Sequence, residues 1–130
     1  MNQDFTLIGI DGGATKISGW IVNYNLDPLS FSLSEKNEQL KYSENKDYIS
    51  NFTPVPVPEQ LKQAEEKQIE LNEQEKQQGE ILVSTCAKVI EKLAKNNPNK
   101  PILVGIGMPG IKTKDKRGIN VVANGPRIPE

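Results

Sequence analysis

The chain has no histidine in its 130 residues and a single cysteine, Cys86. Serine–histidine and cysteine–histidine nucleophile pairs, and metal sites built on imidazole, are excluded within it. One cysteine also rules out an internal disulfide framework and a cysteine-rich zinc site. Cys86 sits on a helical pattern and reads as a small, inert, buried residue. Aromatic residues make up only 5% of the chain, and no apolar stretch approaches the ~20 residues that span a bilayer. The net charge is −1, so no global field draws in nucleic acid or an anionic membrane. Residues Met1 to Asp4 lack the basic stretch that opens a secretory signal, so a cytoplasmic location is expected.

A mean hydropathy of −0.55 is low for a compact domain, and the deficit is concentrated in the middle of the chain. On either side of it the patterns are strong. Phe5 to Ile10 and Lys16 to Val22 are apolar, β-prone runs joined by Asp-Gly-Gly-Ala, which predicts a hairpin. After the turn signal Asn25-Leu26-Asp27-Pro28, Leu29, Phe31 and Leu33 alternate with serines, the period of a half-buried strand. Leu40-Lys41-Tyr42 either extends that strand or forms a short one of its own. Three consecutive antiparallel strands would make a meander.

The alternate prolines of Thr53 to Pro58 read as an extended connector leading into a helix. From Glu59 to Asn96 the composition favours helix, with only Gly79 interrupting it. Its first part, Glu59 to Glu80, holds seven Glu and three Lys and predicts a solvated helix. Its second part carries a stripe of Leu82, Cys86, Val89, Ile90 and Leu93. Asn96 to Pro101 stops the helix, and Ile102 to Gly107 then reads as a parallel strand buried on both faces. Lys112 to Arg117 is a basic turn in which Asp115 reads as a solvated loop residue. Gly118 to Val122 is a short strand, and Asn124-Gly125-Pro126 a further turn.

Two motifs carry chemistry. In Asp11-Gly12-Gly13-Ala14-Thr15-Lys16, glycines let the backbone approach a phosphate and present N–H groups to it. Thr15 offers a hydroxyl, Lys16 a neutralising charge, and Asp11 a carboxylate for Mg²⁺, directly or through water. The same residues also make a plain hairpin turn. The motif is neither a Walker loop nor a dinucleotide fingerprint, because a strand rather than a helix follows the glycines. The second motif, Gly105-Ile106-Gly107-Met108-Pro109-Gly110, leaves a side-chain-free surface at a strand end where a ligand can press on the backbone, or it is simply a strand and a Pro-Gly turn.

Taken together, the hairpin and the segment Gly107-Met108-Pro109-Gly110, Gly118, Val121-Val122 and Asn124-x-Pro126 resemble the ROK family of sugar kinases and repressors, within the actin-like ATPase superfamily. The resemblance covers most of Leu7 to Val22 and Ile81 to Pro129, with Glu59 to Glu80 as a charged helical insertion. It implies an α/β fold, a ribonuclease H-like lobe: a mixed sheet with a three-strand meander, a long helix and a following parallel strand. It implies that Asp11 is the Mg²⁺-associated acid, and that Gly12, Gly13, Thr15 and Lys16 surround the ATP phosphates. Gly107 and Gly110 would lie near a sugar, usually a hexose, and Asn124 would bond a sugar hydroxyl, unless Ile128-Pro129 aligns with that segment instead. The general-base Asp of such kinases is expected beyond Glu130, together with a second, C-terminal lobe. The lobe alone is therefore expected to be inactive, and a homo-oligomer is expected of the whole. The kinase branch is favoured over the repressors, since no helix-turn-helix precedes Leu7. An activator-type or N-acetylhexosamine kinase-type ATPase of the same superfamily, or a non-catalytic interaction module presenting Glu59 to Glu80, are the other readings.

Overall fold

The computed structural model describes residues 4–129. Among these residues, six strands and two α-helices run in the order β1 (Thr6–Gly12), β2 (Lys16–Leu26), β3 (Leu29–Lys41), α1 (Val57–Glu65), α2 (Glu73–Ala94), β4 (Ile102–Gly107), β5 (Ile111–Lys112) and β6 (Ile119–Val121). They are distributed over two compact units. One comprises Met1–Lys41 and Ser84–Met108; the other comprises Tyr42–Val83 and Pro109–Glu130.

The first unit is a mixed four-stranded sheet in the order β3-β2-β1-β4. The expected meander forms: β1 pairs antiparallel with β2 and β2 with β3, while β4 joins β1 in parallel. Period-2 alternation sorts the faces. Ile8 and Ile10 of β1 and Ile17 of β2 are buried with Val89 and Leu93 of α2, whereas Leu7 and Gly9 are half-buried and Asp11 is exposed. Each such fully buried aliphatic side chain contributes roughly 1.5–3 kcal/mol. Helix α2 comes down on Gly19: a Cβ there would meet Val89 Cγ1 at 2.7 Å and Ile10 Cδ1 and Leu93 Cδ1 at 2.9 Å. Cys86 is buried on the same helix, and desolvation pushes its thiol pKa up, in keeping with an inert side chain.

Two burial expectations are overturned. The apolar positions of β3 are not half-buried: Leu29, Phe31 and Leu33 are 67%, 60% and 65% exposed. Strand β4 forms where the apolar run predicted it, but it is not covered on both faces, since Ile102, Leu103 and Ile106 are all exposed. Each of these strands is an edge of the sheet with one strand neighbour, and burial is greatest on β1 and β2 between them. Strand β3 is also bulged. Trp20 pairs with Asn37 but Val22 with Leu33, so Ser34, Glu35 and Lys36 stand against Ile21 alone. The loosened backbone is held by its own side chains, with Lys36 N–H donating to Ser34 Oγ and Asn37 Nδ2 to the Glu35 carbonyl.

In the second unit, α1 begins at Pro56 with Pro58 inside its first turn, where a missing N–H costs nothing. The single helix expected from Glu59 to Asn96 is two. The first ends with Lys67 in the left-handed region (φ 55°), Lys67 N–H bonding the Ala64 carbonyl and Gln68 N–H the Gln63 carbonyl. This is a Schellman closure, with lysine where glycine is usual. The second helix restarts with Asn72 Oδ1 accepting from Glu75 N–H at 2.8 Å. Gly79, the expected interruption, lies within α2.

The charged segment is not merely a solvated face. Gln60 is fully buried, donating to the Val55 and Val122 carbonyls at 2.6 and 2.9 Å and accepting from Val122 N–H at 2.8 Å. Glu75 is equally buried against Arg127, and Gln78 exchanges hydrogen bonds with the Ile49 backbone. The polar residues of this segment thus supply part of the unit's interior, and every buried side-chain nitrogen or oxygen among the described residues has a partner.

Candidate functional site

The Asp11–Lys16 motif stands at one end of the sheet of the first unit. Strand β1 runs out at Gly12, β2 begins at Lys16, and Gly13 N–H donates to the Lys16 carbonyl at 2.9 Å to close the turn. Asp11, Gly13, Ala14, Thr15 and Lys16 are exposed and Gly12 is buried. The turn therefore offers a carboxylate, a hydroxyl, an ammonium and the N–H groups of Ala14 and Thr15 to solvent. The glycines contribute less than expected to an amide cradle, because the Gly13 N–H is used within the turn. Neither glycine has positive φ. At Gly12 a Cβ would meet the thioether of Met108, so any larger residue there would make that flexible side chain move.

Register brings Gly107 to this turn. Asp11 pairs with Gly107 of parallel β4 on one side and with Ser18 of β2 on the other, and Ser18 pairs with Gln39 of β3. A row of Gly107, Asp11, Ser18 and Gln39 thus crosses one face of the sheet at the carboxyl ends of its two parallel strands. Ligands of open α/β sheets gather at such ends. The row behind it is Gly105, Gly9, Trp20 and Asn37. A Cβ at Gly105 would touch nothing and one at Gly107 or Gly9 would make only ordinary contacts, so packing does not demand glycine at these positions.

Gly110 and Asn124 belong to the second unit. Gly110 has φ 105°, and a Cβ would strike the Val121 carbonyl, so the β5–β6 hairpin itself requires glycine there. Asn124 lies exposed in a bend. Asp115 is exposed, as expected, and organises its turn: Thr113 Oγ1 donates to its carboxylate at 2.6 Å and Arg117 N–H at 3.0 Å, which together lower its pKa.

The donor set can be tested against Mg²⁺. No group of three or more acidic, thiol or imidazole side chains is gathered for a resident metal among the described residues. A lone exposed carboxylate beside a turn that carries a hydroxyl and an ammonium is compatible with an ion that arrives already bound to a polyphosphate, since Mg²⁺ keeps several waters and commonly takes only one or two protein carboxylates.

Sequence reasoning missed Arg127, Glu75 and Gln60, the buried polar centre of the second unit. One signal for it was present: Asn72-Glu73-Gln74-Glu75 has the spacing of a helix-start box, which would have placed the second helix and its Glu. Lys41, opposite Lys16, was also missed. No helix among the described residues is long and apolar enough to cross a membrane. No family model matches the chain, and no curated protein or solved structure matches it either.

Proposed function

We propose that this chain is the phosphate-binding N-terminal lobe of a cytoplasmic, ATP-dependent sugar kinase of the ROK kind, built on a ribonuclease H-like plan. The observation that carries the reading is the position of Asp11. It lies next to last in β1, beside Gly107 of parallel β4 and one residue ahead of an exposed turn with a hydroxyl and an ammonium. The sheet order β3-β2-β1-β4, with α2 preceding β4, supports the fold part of the reading.

In this reading the Ala14 and Thr15 N–H groups and the Thr15 hydroxyl bind phosphate oxygens, and Lys16 offsets their charge. Asp11 would hold Mg²⁺, directly or through water, and the ion would supply neutralisation of the polyphosphate charge. Gly107 leaves room for the substrate beside Asp11. A hexose hydroxyl is the acceptor, and the general base belongs to the second lobe. Catalysis of this type is positioning and electrostatics, so a lobe without the base binds nucleotide and transfers nothing.

Calorimetric titration of the 130-residue chain with Mg-ATP tests the reading. Saturable binding that weakens in Asp11→Asn, with the difference from wild type vanishing when Mg²⁺ is chelated, is the expected result. Absence of ATP binding by the wild-type chain defeats it.

A further inference from the structure

Lys16 and Lys41 stand directly opposite each other on β2 and β3, both exposed. Like charges in directly opposed positions destabilise a strand pair. No ion pair relieves this one: among the described residues the ion pairs are Lys76–Glu73 and Arg127–Glu75, and neither opposed lysine has a carboxylate partner. Lys16 Nζ donates instead to a neutral acceptor, Gln39 Oε1, at 3.1 Å, which turns its ammonium toward the row that contains Asp11.

The juxtaposition is a product of the β3 bulge. The pairing at the far end of the hairpin, Val22 with Leu33, would continue to set Gln39 against Lys16. The extra residues on β3 advance the register by two, so that Lys41 takes that place on the same face. Two lysines from different strands are thereby set opposite each other beside the hairpin tip, with Asp11 the acid of the neighbouring row. An anion of high charge density seated between them would convert a repulsive pair into an attractive triplet.

We propose that Lys41 is a second cation of the phosphate site, so that Lys16 and Lys41 together clamp the polyphosphate of a nucleotide. The inference rests on the reading of the turn as a phosphate site, and it extends that site from the β1–β2 hairpin to β3. The clamp recognises phosphate charge rather than the base, so inorganic tripolyphosphate binds the same groups.

The test is titration of the full 130-residue chain with Mg-ATP and with Mg-tripolyphosphate, in wild type and in Lys16→Met, Lys41→Met, Lys41→Arg and Lys36→Met. Losing one charge-assisted contact is expected to weaken both ligands about tenfold in Lys41→Met. Lys41→Arg should retain binding, and Lys36→Met, on the same strand at the bulge, should leave it unchanged. Lys41→Glu separates function from structure: it is expected to raise the melting temperature by relieving the opposed charges while abolishing binding of both ligands. Wild-type affinity in Lys41→Met, with loss in Lys16→Met, overturns the role of Lys41 and leaves the turn as a phosphate site. Equal losses in Lys36→Met and Lys41→Met reduce the effect to diffuse charge and also overturn it. Failure of the wild-type chain to bind either ligand overturns both readings.

Discussion

Arg127 grips Glu75 with two arms: Nε donates to Oε2 at 2.9 Å and an Nη to Oε1 at 2.8 Å, with both side chains almost wholly buried. The Arg127 N–H also donates to Oε2, and the remaining guanidinium donors reach Gln63 Oε1 and the Glu70 carbonyl. One side chain therefore joins the segment after β6 to α1, α2 and the turn between them. A buried pair of this kind adds little over an apolar replacement, but breaking one half leaves a charge without a partner.

Glu75→Gln is accordingly expected to cost about 3–5 kcal/mol, and Arg127→Met a similar amount. The double variant should lose much less than the sum of the two, because no uncompensated charge remains. Urea unfolding of the four proteins measures the coupling; additive losses would mean that the pair acts through packing rather than charge.

Lys67 occupies the left-handed position that closes α1. An L-residue pays roughly 1–2 kcal/mol for that conformation and glycine does not, although glycine loses more entropy on folding. Lys67→Gly is expected to stabilise the chain by about 0.5–1 kcal/mol, and Lys67→Val to destabilise it. Thermal unfolding would show the two variants shifting in opposite directions; a downward shift in Lys67→Gly would contradict the closure described.

Gly19 and Gly105 should respond differently to the same change. A methyl at position 19 meets Val89, Leu93 and Ile10, whereas one at position 105 meets open space. Gly19→Ala is expected to cost about 1–3 kcal/mol through overpacking. Gly105→Ala should be neutral or slightly stabilising, since it adds no clash and removes unfolded-state freedom. Equal denaturation midpoints for the two variants would refute the packing of α2 over β2.

The Asp115 carboxyl titrates below its ordinary value, chiefly through the Thr113 hydroxyl and then the Arg117 N–H. Its pKa is depressed on folding, so the stability it lends is fully present above the unfolded value of about 4 and is lost as pH falls through the folded one. Thr113→Val is expected to move the carboxyl part of the way back toward the ordinary range and to reduce that acid-side dependence, since the Arg117 N–H remains. An NMR titration of the Asp115 side chain reads the shift directly, and an unmoved midpoint would assign the depression to another source.

The sheet was legible because its signals are local. Gly12-Gly13 between two apolar runs, the alternation from Leu29 onward and the run Ile102 to Gly107 each predict a strand from its own residues, and all three formed. Burial was less legible, because it depends on what lies across the sheet: Leu29 and Leu103 look like core residues and sit on edges. The break after Glu66 was hidden because a lysine, with no sequence preference for left-handed backbone, takes the place of glycine. Glu75 looked solvated among seven glutamates, and the residue that buries it lies 52 positions away. The Asp11 turn could be read from its sequence. Lys41 could not, since only the bulged register sets it against Lys16.

The bulge on β3 also bears on how copies of this chain behave at high concentration. A thirteen-residue edge strand carrying exposed Leu29, Phe31 and Leu33 is a template for strand addition and fibril growth. The kink at Ser34 to Lys36 cuts it into two short stretches, ties up backbone groups with local side chains, and flanks the gap with Glu35, Lys36 and Glu38. A straightened β3 would give neighbouring chains an uninterrupted edge to copy, whereas the bulged strand offers only two short stretches.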